Sequence, residues 1–143
     1  MADILYHNFF AEIMKGTIDA DNGGDVFNMQ LHTSTHTPSI DDAVKADLDN
    51  EVANGNGYTT GGYAFTNTNL AITDDDSNDL GKFDIAEDAV WSSSTITARY
   101  GILLDNTHAS DALVGCFDFT EDKSTTNGTF TLQFNASGVL TIA

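Results

Sequence analysis

The chain has 143 residues, 41% of them hydrophobic, which is enough for one domain with a buried core. Its formal net charge is −17, from 22 acidic side chains against five lysines and arginines. That balance argues against nucleic acid or an anionic membrane surface as a partner. No apolar run reaches the roughly 20 residues that span a bilayer, and the start lacks the basic region of a signal peptide. We therefore expect a single domain over residues 1–143, made in a cytoplasm.

The acidic residues predict many turns and few helices. Eighteen of them are aspartate, which favours turns and caps, and four are glutamate, which favours helices. One helix is nevertheless predicted within residues 1–18, with Asp3 as its cap and Gly16 as its end. Apolar residues recur there at helical spacing, namely Tyr6, Phe9, Phe10, Ile13 and Met14.

This helix has an apolar stripe without a cluster of lysines beside it, which argues against binding to a membrane. We expect the stripe to dock on the domain or on a neighbouring subunit. Phe9, Phe10 and Ile13 are its candidate interface residues.

The rest of the chain predicts antiparallel strands. Residues 26–33 alternate apolar and polar side chains, as in a half-buried strand. Residues 39–52 predict a short second helix, because Ser39 and Asp42 have the spacing of a capping box. Further strands are predicted at residues 62–67, 69–73, 81–86, 89–92, 95–105, 112–119, 129–134 and 139–143.

Turn signals between these strands indicate the fold class. Asn127-Gly128 and residues 135–138, NASG, have the composition of hairpin turns. Many short strands separated by such turns are typical of a β-sandwich. We predict a mainly β, antiparallel, jelly-roll-like sandwich with an N-terminal helix and one short additional helix.

The glycine-rich stretch NGNGYTTGGYAF, residues 54–65, has two interpretations. A phosphate-binding loop needs a helix directly after it, and here an aromatic, β-branched segment follows without a lysine. We therefore predict a tight turn whose glycines take positive φ and lead into a strand. Tyr63 and Phe65 should then pack on one face of that strand.

Two polar clusters are candidate metal sites. Residues 73–79, TDDDSND, offer Asp74, Asp76 and Asp79 as calcium ligands, but EF-hand spacing is not met and a solvated hairpin tip is favoured. His32 and His36 are four residues apart, and extended chain would separate them by roughly 13 Å. Loop or surface positions are therefore expected for both histidines, and no metal or other cofactor is predicted.

Two single residues are informative. Cys116 is the only cysteine and lies in an apolar run, which excludes an intrachain disulfide and favours a buried side chain. Arg99 follows Ile96 and Ala98, which should face inward, so its side chain should lie on the opposite face. An ion pair with a carboxylate is favoured for Arg99 over its alternative role as an interface residue.

Catalytic motifs are missing, since the sequence has no nucleophile elbow and no metalloprotease helix. No enzyme is therefore predicted. A carbohydrate- or calcium-binding β-sandwich module is an alternative of another class. It would use Trp91, Tyr58, Tyr63 and Tyr100 as stacking platforms, whereas core packing is the competing interpretation, favoured for Trp91.

Six segments form an ordered pattern along nearly the whole chain. They are LYHNFF (5–10), TPSIDD (37–42), NEVANGNGYTTGG (50–62), FDIAEDAVW (83–91), TITARYGILL (95–104) and NGTFTLQFNASG (127–138). In this order they resemble a family of small virion structural proteins of tailed bacteriophages. The resemblance implies a structural component of the particle and assigns no catalytic or ligand-binding residue.

The family resemblance implies a particular location and partner. A capsid decoration protein, also called a cement or minor capsid protein, binds the major capsid protein, commonly as a homo-oligomer with a trimer favoured. The charge of −17 favours the outer capsid surface, because packaged DNA would repel the chain. A tail or head–tail connector component is the alternative.

Overall fold

The computed structural model describes residues 3–142 and has a mainly β architecture, with 44% strand and 11% helix. Every strand pair within those residues is antiparallel, so the predicted mainly β class is confirmed. The elements are β1 (Ile4–Leu5), α1 (His7–Lys15), β2 (Phe27–His32), β3 (Tyr63–Ala64), β4 (Leu70–Asp75), β5 (Leu80–Ile85), β6 (Ala89–Ser94), β7 (Thr97–Asp105), β8 (Ala112–Ser124), β9 (Gly128–Leu132) and β10 (Leu140–Ile142).

The strands form three sheets that share one core. A five-stranded sheet has the order β1-β8-β7-β2-β3, a three-stranded sheet the order β10-β5-β4, and β6 pairs with β9. Phe27 of β2 and Phe83 of β5 have ring centroids 5.6 Å apart, and Tyr63 of β3 lies 5.9 Å from Trp91 of β6. The two smaller sheets therefore pack on the five-stranded sheet in the layered arrangement of a sandwich.

The five-stranded sheet is buried on both faces. Its second face carries a separate cluster made of Tyr6, Tyr100, Ile102, Leu104, Leu113 and Cys116. The segment before the glycine-rich turn covers this cluster, since Val44 bridges Ala112 and Leu48 packs against it. Cys116 is buried as predicted, and burial raises the pKa of its thiol to about 12.

The N-terminal helix is shorter than predicted, and Asp3 does not cap it. Ile4 and Leu5 pair with Cys116 and Gly115 as a strand, so the helix begins only at His7. The Asp3 carboxylate instead accepts a hydrogen bond from the Asp118 N–H at 2.8 Å. Gly16 ends the helix with φ 73°, as predicted.

The helix predicted at residues 39–52 is wrong, because only a 3₁₀ turn forms there, at Lys45–Asp47. The expected capping bond does exist, since the Asp42 carboxylate accepts from the Ser39 N–H at 3.0 Å, but it closes an isolated turn. The Ala43 carbonyl accepts from the Leu113 N–H at 3.0 Å. Contact with β8 thus replaces the hydrogen bonds that a helix would make internally.

The two hairpins predicted near the C-terminal end are also wrong. β9 pairs with β6 and β10 pairs with β5, so each turn carries the chain from one sheet to another. Turns do form at both places, since Asn127 has φ 46° and Gly138 has φ 107°. By contrast, residues 76–79 do form the tip of a hairpin, between β4 and β5.

The glycine-rich stretch is a structural turn, as predicted. Gly55, Gly57, Gly61 and Gly62 all have positive φ, and the chain then enters β3. The rings of Tyr63 and Phe65 lie 5.3 Å apart. The turn therefore anchors an aromatic cluster to the edge of the five-stranded sheet.

Candidate functional site

Of the aromatic residues considered as sugar platforms, Trp91, Tyr58 and Tyr100 lie in the interior and Tyr63 is half-buried. Trp91 packs against Tyr63, Tyr58 and Phe130 with centroids about 6 Å apart, so its predicted core role is confirmed. The Tyr58 hydroxyl donates to Glu51 at 2.7 Å, and Tyr100 belongs to the second core cluster. The rings of Trp91, Tyr58 and Tyr100 therefore stabilise the sandwich and are not exposed for stacking.

The acidic residues of the β4–β5 tip are not gathered around a common point. Asp75 accepts from the Ser77 N–H and from the Asn78 amide, as in an ordinary hairpin turn. Within residues 3–142 no group of three or more His, Cys, Asp or Glu side chains could hold a metal ion. Asp74, Asp76 and Asp79 accordingly form no such group.

His32 and His36 are buried side by side, so the expected surface position is wrong for both, and His36 lies in a loop whereas His32 belongs to β2. A turn in which the His36 N–H donates to Thr33 O brings their ring centroids within 4.9 Å. Both Nδ1 atoms contact Asp49, His32 at the backbone carbonyl (2.7 Å) and His36 at the carboxylate (2.5 Å). Burial lowers the pKa of His32, and the bond to His36 lowers the pKa of Asp49. The pair fastens the loop containing Asp49 to the sheet.

A second buried polar group is the Asp105 carboxyl at the end of β7. Its Oδ1 accepts from the Thr107 and His108 N–H groups, at 2.8 and 3.1 Å. Its Oδ2 is buried without a hydrogen-bond partner, and the neighbouring carboxyl group is that of Asp25, which can offer a donor only if one of the two groups binds a proton. Burial, together with the charge of Asp25, raises the pKa of Asp105 from 3.8 to about 6.

We predict that Asp105→Asn stabilises the protein at pH 7 by about 1 to 3 kcal/mol. Because the pKa of Asp105 is raised on folding, the folded chain keeps this proton up to about pH 6, whereas the unfolded chain loses it near pH 3.8. The stability that the proton contributes is full below pH 3.8 and is lost as pH rises through about 6. Asparagine keeps the acceptor and adds a donor for Asp25. Urea unfolding at pH 7 and pH 4 checks this, with exposed Asp122→Asn as the charge-matched control. A gain of equal size at both pH values would contradict it.

Arg99 forms an ion pair within the chain, as favoured from the sequence. Its Nε and Nη2 atoms donate to the two carboxylate oxygens of Asp118, at 2.6 and 3.2 Å. The guanidinium also lies 5.6 Å from the ring centre of Tyr100. Ile96 and Ala98 are buried, as predicted. Because its fork is directed at Asp118, Arg99 acts as a cross-strand clamp between β7 and β8.

An apolar groove opens between α1 and the three-stranded sheet and is the candidate site. It has a volume of about 190 Å³. Its lining consists of Phe9, Phe10, Ile13, Ile72, Gly81, Lys82, Phe83, Leu140 and Ile142. A larger concavity of about 420 Å³ at β8 and β9 is more open and lined mostly by serine and threonine. The groove is the better place for an apolar group to leave water.

Three exposed isoleucines line the groove. Ile13, Ile72 and Ile142 are 38%, 51% and 54% exposed, and Met14 next to Ile13 is 81% exposed. Of the six large hydrophobic side chains that are exposed within residues 3–142, Ile13, Ile72 and Ile142 line the groove, whereas Met14, Ile40 and Val90 do not. Solvent-facing apolar surface gathered in one place is typical of a contact with another molecule.

Three of the four predicted interface residues meet in this groove. Phe9 is mostly core, with 3% exposure, while Phe10 and Ile13 line the groove more openly. Arg99 lies on β7 and is not part of it. Sequence reasoning missed Ile72 and Ile142. Their strands and the N-terminal helix were predicted, but the position of these strands beside the helix was not. The strand pattern alone did not show that their side chains extend beyond the covered core.

Comparison with protein-family models, with curated proteins and with solved structures gave no match. None of the helices between residues 3 and 142 has the length and apolar character that crossing a bilayer requires.

Proposed function

We propose that the chain is a structural virion protein of a tailed bacteriophage, namely a capsid decoration protein that binds the outer surface of the shell. The observation that carries the proposal is the apolar groove of α1 and the three-stranded sheet. Trp91, Tyr58 and Tyr100, which suggested sugar stacking, are packed inside the domain. The ordered resemblance of six sequence segments supports the same class of protein.

The mechanism follows from mass action. A protein that binds the assembled shell, but not the free coat subunit, stabilises the shell by about 2.7 kcal/mol per site at a hundred times its dissociation constant. The net charge of −17 favours the outer surface, because the interior holds DNA. The major capsid protein is the proposed partner.

The chain is further proposed to act as a homo-oligomer, with a trimer favoured. Copies of so acidic a chain repel each other, so contacts between them must be short-range and apolar or hydrogen-bonded. Analytical ultracentrifugation at low and high salt measures this directly. A monomer under both conditions would contradict the proposed homo-oligomer without contradicting the capsid role.

The structure bears differently on the three competing functions. A tail or head–tail connector protein would need the same kind of groove, so it is separated only by experiment. A carbohydrate-binding module is disfavoured because Trp91, Tyr58 and Tyr100 are buried. A calcium module has no gathered acidic ligands among residues 3–142.

Immunogold electron microscopy of purified virions tests the location. The proposal expects gold particles distributed over the capsid surface. Label confined to the tail would assign the chain to the tail or connector, and intact virions without label would overturn a virion role on the particle exterior. Virions opened by osmotic shock serve as the control for epitopes on the inside.

A further inference from the structure

The apolar groove has a charged mouth, and strand register identifies which side chain forms it. Successive side chains of a strand alternate between the two faces, so Ile72 and Asp74 lie on the same face of β4. Asp74 pairs with Gly81, which lines the groove. Asp74 therefore stands at the end of the groove, directly beyond Ile72.

Two other charged groups beside the groove, Lys82 and Glu12, are paired within the chain, while Asp21 at the Ile72 N–H adds a further negative charge. The Lys82 ammonium lies 3.3 Å from the Asp84 carboxylate and also donates to the Ala136 carbonyl. On α1, Glu12 accepts from Lys15 at 2.7 Å. Asp74, by contrast, has no ion-pair partner among residues 3–142. The groove thus combines an apolar floor with an uncompensated negative charge at its mouth.

A second copy of this chain is a poor source of the matching positive charge. The chain has five basic residues, and each forms an ion pair with a carboxylate of its own chain. The pairs are Lys15–Glu12, Lys45–Asp111, Lys82–Asp84, Arg99–Asp118 and Lys123–Glu121. A copy docked here would bring further negative charge toward Asp74, which is unfavourable. Charge complementarity therefore favours a different, basic partner.

We propose that the groove binds a segment of a partner protein that places an apolar side chain among Ile13, Ile72 and Ile142 and a lysine or arginine against Asp74. The apolar side chain supplies the burial, and the ion pair fixes the direction in which the segment lies. This inference rests on the proposed function only for the partner's identity, which would be the capsid protein. The chemistry of the segment follows from the groove alone.

Nuclear magnetic resonance titration of the whole chain with synthetic peptides tests this recognition. The first peptide carries a leucine pair flanked by lysines, the second replaces the lysines with glutamates, and the third replaces the leucines with serines. We expect the first to shift the methyl signals of Ile13, Ile72 and Ile142, and the other two to bind about tenfold more weakly. Absence of shifts at these methyl groups with the first peptide would overturn the inference.

Charge reversal separates a specific contact from general attraction to an acidic protein. Asp74→Lys should weaken the lysine peptide about tenfold and strengthen the glutamate peptide. Asp122→Lys changes the net charge by the same amount on β8 and should leave the order of the peptides unchanged. Equal effects of the two variants would overturn the role of Asp74. Ile72 is half exposed, so Ile72→Ser should keep the fold. In this variant the first peptide should no longer shift the methyl signals of Ile13 and Ile142.

The inference and the proposed function fail in different ways. A groove that takes the lysine peptide, on a chain that ignores capsids, would refute the capsid role alone. Capsid binding that Asp74→Lys and Ile72→Ser leave unchanged would refute the groove as the docking site alone.

Discussion

Replacing Gly62 with alanine is expected to destabilise the protein by more than about 4 kcal/mol, a large fraction of the roughly 5 to 15 kcal/mol that a typical domain has. Gly62 has φ 80°, and a Cβ atom there would lie 2.0 Å from the carbonyl oxygen of Met29. Met29 belongs to β2 inside the five-stranded sheet, so its backbone cannot yield without breaking the sheet. Guanidinium unfolding followed by the fluorescence of Trp91, the single tryptophan, measures the loss.

Gly61 is the matched control for this substitution. It also has a positive φ, of 100°, but a Cβ atom would meet nothing within 4 Å. Gly61→Ala should therefore cost only about 1 to 2 kcal/mol of backbone strain. If both variants lose the same stability, the close approach of Gly62 to β2 is not what fixes the turn.

Replacing Arg99 with methionine is expected to cost about 2 to 4 kcal/mol. The Asp118 side chain is 1% exposed and would lose both bonds to the guanidinium group. The pair spans an irregularity at which Tyr100 pairs with Asp118 while Ala98 pairs with Lys123. The pair therefore holds β7 and β8 together where their ladder is interrupted.

The acid dependence of this variant gives an independent readout. The bond to Arg99 holds the pKa of Asp118 below its usual value of 3.8. A depressed pKa contributes stability that is present above pH 3.8 and lost as pH falls through the folded pKa. Arg99→Met should therefore reduce the loss of stability on acidification below pH 4, as measured by urea unfolding across that range.

Lys123→Met is the control, because Lys123 pairs with exposed Glu121 on the same strand. An exposed pair of this kind contributes about 0 to 1 kcal/mol. In the double variant Arg99→Met, Asp118→Asn, part of the loss should return, since the charge that needed a partner is gone. A cost for Arg99→Met no larger than that for Lys123→Met would show that the fork adds no stability.

Local patterns predicted the strands well because alternation and turn residues act over a few positions. The segments predicted at residues 69–73, 81–86, 89–92, 95–105 and 112–119 all contain strands. Gly16 as the helix end and the positive φ of the 54–62 glycines were likewise local properties. These features need no knowledge of what the segment packs against.

The sequence did not predict which strands pair, or where tertiary contacts replace the local structure that a segment favours. The turns at Asn127 and Gly138 have hairpin chemistry, but which sheet the next strand joins depends on distant apolar faces. The segment 39–52 has a capping signal, yet bridging to β8 prevails. His32 and His36 meet because a turn and Asp49, thirteen residues beyond His36, bring them together.

One wall of the candidate site could be predicted. The aromatic helix identified Phe9, Phe10 and Ile13 as contact residues from their spacing alone. The other wall, with Ile72 on β4 and Ile142 on β10, depends on the two strands flanking β5 in a sheet that lies beside α1, which is a tertiary property. The same holds for Asp74, whose position at the mouth follows only from the register with Gly81.

Co-sedimentation with mature capsids is the most direct test of the proposed role. Purified chain is mixed with capsids that lack it, the capsids are pelleted, and the bound chain is measured against the major capsid protein. The proposed function predicts saturable binding at a fixed ratio to the coat, which Ile13→Asp weakens without lowering the melting temperature. A chain that stays in the supernatant at every concentration would contradict it.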